Sequence, residues 1–580
     1  MTDDDHTPRE VATAADALAD ADASAAGCGI VTDGGTDTAA GADDVELDPW
    51  GSATVDDYRK LFEEFGIEEF DDVLPDVPHP HYLMRRGVIF GHREYDAVAE
   101  AMVNDEPFAA LSGFMPTGDP HIGHKLVFDE LIWHQRQGGD AFGLIADLEA
   151  HAARGLSWDE IDEHARSYVL SLIALGFDPE DGTVYRQSDN REVQDLAFEL
   201  GSKANFSELQ ALYGFDGETN VSHMQSTITQ MADILYPQLV DGPKPTVVPV
   251  GPDQDPHLRL SRDLSERMRY FKVTEAFASF ELGDDERQLV RAAFDALAAA
   301  PDEDDADDAE ADDADDAEAD DADDAETTAD NADDGDEPVR CEAAAEWLET
   351  YEPTPELTDA RRSAIEKLRA AGKEPLRPRV RFLDRNATDD AFEDLIGRVE
   401  GEKRVFEGHV DAFDLTREAA ETLAREVELD HDGFGFRQPS SIYHRFMSGL
   451  TGGKMSSSIP ASHISLLDDP EEGAAKVNAA TTGGRSTAEE QRELGGKPDE
   501  CPVYELYAYL LADDDDDLAR TVYEECAGGD RLCGGCKEQA AELMREFLAD
   551  HQEKREEAAE LLEDLDIDFE SDRRGTGGEH

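Results

Sequence analysis

An α/β fold built on a parallel sheet and followed by a C-terminal helical domain is what the sequence predicts. From about residue 106, short apolar runs alternate with segments of helical periodicity, the pattern of parallel strands joined by crossover helices. From 471 to about 565 long amphipathic stretches take over, among them KEQAAELMREFLADHQEKREEAAELLEDL. At 580 residues the chain also exceeds one ordinary domain.

The predicted strands are FAALSGF (108–114), DAFGLIAD (140–147), GTVYRQSD (182–189) and PTVVPVGPD (245–253). WDEIDEHARSYVLSLIALGF and EVQDLAFELGSKA supply helices between them. Residues 1–47 are Ala, Asp, Gly and Thr with few large apolar groups, and predict a disordered acidic tail. Structure is expected to begin in an appended segment, 48–105, ahead of the sheet unit at 106–282. Near 283 the alternation stops, and an insertion is expected over 283–430, with a disordered acidic run at 302–337. Apolar order resumes at PSSIYHRFMSGL, so 431–470 returns to the sheet unit and 471–565 is helical; 566–580 is a tail.

Charge is the strongest compositional signal. Against 51 basic residues stand 138 acidic ones, a formal charge of −87. The run 302–337 carries 22 acids and no base, including near-copies of DDADDAEA, yet the rest of the chain stays strongly acidic without it. Acidity spread over the folded parts fits a cytoplasm at molar salt, where screening shortens electrostatics to a few ångströms. A chain built for one basic partner would instead gather its acids into a patch. No apolar run reaches the ~20 residues of a bilayer span, MTDDDHTPRE is no signal peptide, and six cysteines make no disulfide framework. A cytoplasmic protein with no membrane association is expected.

Three stretches carry chemistry. SGFMPTGDPHIGHK (112–125) sets His121 and His124 three apart where a strand gives way to a helix. A helix start offers unpaired N–H groups and the positive dipole end, so an anion site is expected, with both imidazoles facing it. The alternative is a pair of capping or surface histidines. TGGKMSSS (451–458) is a Gly-rich loop whose Lys454 brings a mobile positive charge toward phosphate. VPVGPDQDPHLRLSRD (248–263) ends a strand at Gly251 and places Asp253 and Gln254 at the carboxyl edge of the sheet, where open α/β folds bind ligands.

Together and in this order, these stretches resemble the class I aminoacyl-tRNA synthetases: His121-Ile-Gly-His124 looks like their HIGH motif and Lys454-Met-Ser-Ser-Ser458 like their KMSKS loop. Within the class the chain is similar to the tryptophanyl-tRNA synthetase family of archaea and eukaryotes, through DPWGSATVDDYRKLFEEFG, HYLMRRGVIFGHREYDAV and KVNAATTGGRSTAEEQRELGG. The resemblance spans roughly 48–282 and 431–560. It implies a Rossmann-like catalytic domain at 106–282, a KMSKS return at 431–470 and a helical anticodon-binding domain at 471–565. It further implies that L-tryptophan is activated with ATP and Mg2+ and passed to the 2′-hydroxyl of the terminal adenosine of tRNA(Trp), and that the chain forms a homodimer.

Carried over by position, His121, His124 and Lys454 are the catalytic set. ATP is expected against Pro116, Thr117, Gly118, His121, Gly123, His124, Gly251, Asp253, Lys454, Met455, Ser456 and Ser457, with Asp253 accepting the ribose hydroxyls. Ser457 departs from the family's second lysine, which leaves Lys454 as the loop's cation. Glu149, Gln225, Asp233 and Gln254 are the tryptophan set, with Asp233 or Gln225 accepting the indole N–H; Leu111 and Leu144 replace polar ring contacts of the eukaryotic branch. The rivals are a non-catalytic tRNA-binding or regulatory paralogue and tyrosyl-type specificity.

Cys501, Cys526, Cys533 and Cys536 form C-x24-C-x6-C-x2-C, which suits Zn2+ or an iron–sulfur cluster, or else thiols packed around a turn. Residues 359–385 hold nine Arg or Lys against four acids. Clustered arginines ordinarily contact phosphate, so this segment is expected either to touch the tRNA acceptor arm, or else to pair with the acidic run at 302–337 or cap a helix of the insertion.

Overall fold

The computed structural model describes residues 61–62, 66–278, 377–453, 455 and 459–564. The expectations for 1–47, 302–337 and 566–580 lie outside them, as do Lys454, Ser456 and Ser457. The chain divides into two compact units, Met1–Arg267 with Phe436–His580, and Met268–Gly435.

The first unit is built on a seven-stranded sheet. Its strands are β1 (Glu68–Glu69), β2 (Ile89–Arg93), β3 (Ala109–Phe114), β4 (Asp140–Ile145), β5 (Thr183–Arg186), β6 (Thr246–Val250) and β11 (Ser440–His444), in the order β1-β2-β11-β6-β3-β4-β5. From β11 to β5 every pairing is parallel. The four strands expected between 108 and 253 are all present. β3 and β4 bury nearly every residue, as a strand covered on both faces requires. The segment 48–105 is no appendage at its described end: β2 pairs antiparallel with β11 and with β1, extending the same sheet.

Helix α1 (Ile122–Arg136) follows β3, and α2 (Asp147–Arg154) follows β4. Next comes α3 (Trp158–Ala174), started by a Ser157–Glu160 capping box. The rings of Phe114, Phe128 and Tyr168 meet at 4.6–6.3 Å between β3, α1 and α3, and each such buried side chain contributes roughly 1.5–3 kcal/mol. Helix α4 (Val221–Leu235) leads toward β6. The C-terminal region is helical and ends in the long Cys533–Asp564 helix. Its Val503, Leu506, Met544 and Leu548 belong to the same apolar cluster as Leu126 and Phe128 of α1, so the two regions share one core.

The second unit begins earlier than the expected 283. Strand β7 (Phe271–Ala278) pairs antiparallel with β8 (Arg377–Asp384), and β10 (His409–Ala412) joins β8 to β9 (Lys403–Phe406) in the order β7-β8-β10-β9. Two helices, α5 (Asp389–Arg398) and α6 (Arg417–Asp430), complete it.

Candidate active site

The strand order reverses direction between β3 and β6, and the carboxyl ends of parallel strands diverge at such a point. A cavity of about 380 Å³ opens there. Its walls include Leu111, Leu144, Val250, Gly251, His444 and α1's first turn. Of the expected site residues, His121, Gly123, His124, Glu149, Asp233, Gly251, Asp253, Gln254 and Met455 all line it.

His121 is the N-cap of α1, and the two histidines cap one another's backbone. The His121 N–H donates to Nδ1 of His124 at 3.1 Å, and the Gly123 N–H donates to Nδ1 of His121 at 3.1 Å. The Ile122 N–H goes to the carbonyl of Ile464 and the His124 N–H to that of His121. The expectation of free backbone donors is therefore corrected: the first turn's N–H groups are taken. What remains is the imidazoles themselves. A ring whose Nδ1 accepts a backbone proton carries its own proton on Nε2. Burial lowers His121 well below the usual histidine range and takes His124 down to about 4, so both rings are neutral Nε2–H donors near pH 7. His124 Nε2 lies 3.2 Å from the Tyr168 hydroxyl.

Gly123 has a steric reason. A Cβ there would stand 2.9 Å from Cε1 of His121 and 3.4 Å from the sulfur of Met455, so any side chain would dislodge the ring. Likewise a Cβ on Gly251 would meet Asp253 Oδ1 at 2.6 Å. Pro116, Thr117 and Gly118 lie in the turn between β3 and α1, outside the cavity wall.

The other end of the cavity is polar and buried. Asp233 accepts from the Tyr185 hydroxyl at 3.0 Å and from Gln187 Nε2 at 2.7 Å. Burial holds its carboxyl well above the usual range, with the neighbouring Glu149 and Asp147 acting in the same sense. Gln187 also accepts the Glu149 N–H through Oε1 at 3.3 Å, so one amide ties Glu149 to Asp233. Gln225 does not join them. It sits exposed on α4, outside the cavity, because eight residues separate it from Asp233, about 12 Å along a helix axis. Gln230 takes that place. It lines the cavity, and its buried Oε1 has no hydrogen-bond partner among the described residues. Gln187 and Gln230 went unnoticed in the sequence, although Gln230 stands three before Asp233, on the same helix face.

Cys501 and Cys536 are buried and Cys526 and Cys533 half-buried, all as free thiols. Burial pushes Cys526 up to about 11, and the three other sulfurs add to the rise, so the four lie near one another. Among the described residues no group of His, Cys, Asp or Glu side chains is arranged to hold a metal ion.

A family model for class I tRNA synthetases of the W and Y types matches residues 103–280 and 411–549. That model covers both specificities. A Halobacterium salinarum protein, tryptophan–tRNA ligase 1, is 66% identical over 94% of this chain and 100% of its own length. The chain belongs to the tryptophan–tRNA ligase family. The Methanosarcina acetivorans tryptophan–tRNA ligase is 45% identical over 90% of the chain. A crystal structure of tryptophanyl-tRNA synthetase from Aeropyrum pernix superposes with a TM-score of 0.56 at 31% identity, covering 90% of this chain and 98% of that one. The Rossmann-like class I fold of the tryptophan–tRNA ligases is thus the fold of this chain. Among the described residues no helix is long and apolar enough to cross a membrane.

Proposed function

We propose that the protein joins L-tryptophan to ATP, releasing pyrophosphate, and transfers the tryptophanyl group to the 2′-hydroxyl of the terminal adenosine of tRNA(Trp). The observation that carries this reading is one cavity with two neutral histidine donors at its mouth and a buried Asp233–Gln187–Glu149 set at its far end. Neither the paralogue nor the tyrosyl reading finds support in the relatives.

Chemistry at the α-phosphorus needs positioning and donors aimed at developing charge. A tryptophan carboxylate oxygen attacks phosphorus, the bond to the bridging oxygen breaks, and pyrophosphate leaves with its Mg2+ as part of the substrate. His121 offers its Nε2–H to the phosphate oxygens, His124 does so in exchange for its contact with the Tyr168 hydroxyl, and Lys454 offers the loop's cation. Asp253 takes the ribose hydroxyls, and Met455, Gly251 and Gly123 line the nucleotide's path. Asp233 accepts the indole N–H with a lone pair its two existing bonds leave free, while Glu149, Gln254 and Gln230 take the polar groups of the amino acid.

The dimer reading draws support from Phe198 and Val221, 82% and 79% exposed, on two helices packed against each other. Cys501, Cys526, Cys533 and Cys536 are not arranged as a ligand set among the described residues, but thiol chemistry suits Zn2+ or an iron–sulfur cluster, and elemental analysis of anaerobically purified protein tests it against a Cys533→Ser, Cys536→Ser double variant. The acidic composition supports a cytoplasm at high salt. Pyrophosphate exchange into ATP tests the activity itself. It is expected to require tryptophan, to ignore tyrosine, and to slow at least tenfold in Lys454→Ala with tryptophan affinity kept. Tyrosine-driven exchange would overturn the specificity, and no exchange at all would overturn the reaction.

A further inference from the structure

The second unit's sheet has two unlike faces. Alternation along the strands puts Phe271, Val273, Val380, Phe382, Val410 and Ala412 on one of them, packed against Ala391 and Leu395 of α5 and Ala420, Ala424 and Val427 of α6. Both helices therefore cover one face. On the other, register aligns Thr274, Arg381, Asp411 and Arg404 in a single row across four strands, and Lys272, Leu383, His409 and Phe406 in the next.

We propose that this second face is a tRNA-binding surface, on which Arg379, Arg381 and Arg404 hold phosphate oxygens and the Phe406–His409 pair stacks an unpaired base.

Charge is the first argument. In a chain at −87, the described residues of this face include Lys272 and three arginines. Asp411 is wholly buried and accepts from Arg379 Nη1 at 2.6 Å and from Arg381 Nε at 2.7 Å. These two arginines thus pair with Asp411, while the expected pairing with 302–337 lies outside the described residues. Two guanidiniums share that one carboxylate. Arg379 Nε is buried and unpaired among the described residues, and burial, with Arg381 and Arg404 nearby, holds this guanidinium below its usual basicity.

Planar groups are the second. Phe406 is 43% exposed, and its ring stacks on His409 at 4.4 Å between centroids with 11° between planes. An exposed aromatic beside clustered guanidiniums is the pairing that binds unpaired nucleotides, phosphate to arginine and base to ring. An antiparallel four-stranded sheet with both helices behind it is also the platform on which such bases stack. Screening at molar salt weakens the phosphate contacts, so the aromatic pair carries more of the binding there. Apart from Asp411, Lys272 and Thr274, these residues lie outside the stretches that the family model matches.

This inference rests on tRNA being the second substrate. Arg404 and Phe406 are exposed, so Arg404→Gln and Phe406→Ala leave the Asp411 pairs intact. Each is made in the full chain and in a chain lacking 302–337, and tRNA(Trp) retention is followed across a KCl series. Phe406→Ala is expected to weaken tRNA binding about fivefold or more. Arg404→Gln is expected to weaken it and to flatten the salt slope by about 0.7 to 0.9. Both effects should appear in both backgrounds, with tryptophan-dependent pyrophosphate exchange unchanged within about twofold. Unchanged tRNA affinity in both variants overturns the proposal. So does an effect confined to the chain that keeps 302–337, since the face would then belong to the acidic run. Exchange by the parent protein reads the activity separately.

Discussion

His121 hands its backbone N–H to Nδ1 of His124 across 3.1 Å, and the two rings lie 3.9 Å apart. That bond settles which nitrogen of His124 can face a phosphate, because an Nδ1 occupied by a backbone donor leaves the proton on Nε2. Capping, which stood as the rival explanation of the HIGH stretch, is observed here, and it is compatible with the proposed donor role because it fixes the ring that would donate. The helix start uses the histidines to satisfy its own donors, and the histidines use the helix start to fix their tautomer.

Removing His124 should accordingly cost more than one donor. His124→Ala loses the Nε2–H and frees the His121 N–H, so pyrophosphate exchange is expected to fall about 10²–10³-fold in kcat, with tryptophan KM little changed. Tyr168→Phe removes only the hydroxyl 3.2 Å from His124 Nε2 and should fall several-fold in the same parameter. A KM effect without a kcat effect in either variant would assign these groups to ground-state binding.

Gly123→Ala tests the same geometry without touching a donor. Its Cβ would stand 2.9 Å from Cε1 of His121, so the ring must move while the helix gains a better former. The expected result is a kcat reduced at least about tenfold at an unchanged or slightly raised melting temperature. Full activity would mean that the His121 ring position is not needed.

Much of this was legible in the sequence, for a physical reason. Buried parallel strands must be apolar runs, so β3, β4 and β6 announce themselves, β5 at the sheet's edge shows only as a short run between turns, and HIGH marks the strand-to-helix turn by its spacing. Gln225 in place of Gln230 failed because both are polar residues on one amphipathic helix, and only distance along the axis separates them. Gln187 left no trace at all: a glutamine after a short strand looks like the start of a turn until its two partners arrive from residues 149 and 233. The three extra strands of the sheet, β1, β2 and β11, were hidden for a similar reason, since antiparallel pairing of β2 with β11 joins residues some 350 positions apart.

Buried histidines among the described residues set an acid limit on stability. Burial lowers His81, His257 and His551 to about 3 and His124 and His134 to about 4, whereas unfolded histidines titrate near 6.5. Between about pH 6.5 and 4 the unfolded chain holds more protons at these sites, so their contribution is complete above 6.5 and is lost as pH falls. Buried carboxyls that burial pushes up, Asp233 and Glu130 among them, act in the opposite sense. A single substitution isolates one histidine from that sum. His134→Gln should lower the slope of unfolding free energy against pH, measured by urea titration near pH 5, by about one proton, or about 1.4 kcal/mol per pH unit. An unchanged slope would mean that His134 titrates alike in the folded and unfolded chain.

Gln187 makes the sharpest test of the tryptophan end of the cavity. It is fully buried, accepts from the Glu149 backbone and donates to Asp233, so it touches two members of the expected set. In Gln187→Leu the volume is nearly kept, but Asp233 loses one of its two donors and the Glu149 N–H loses its acceptor. Leaving buried polar groups unmade costs about 1–3 kcal/mol each, and the carboxyl of Asp233, already pushed up by burial, would rise further with one fewer donor. A protonated Asp233 is a poorer acceptor for an indole N–H. Tryptophan KM in the exchange reaction is therefore expected to rise about 10- to 100-fold, while ATP KM stays within about twofold because Asp253 and the histidines are untouched. Raising the pH should recover part of the loss, since it returns Asp233 to the carboxylate. An equal rise in both KM values, with no recovery at higher pH, would mean that the variant had deformed the cavity as a whole rather than the indole's acceptor.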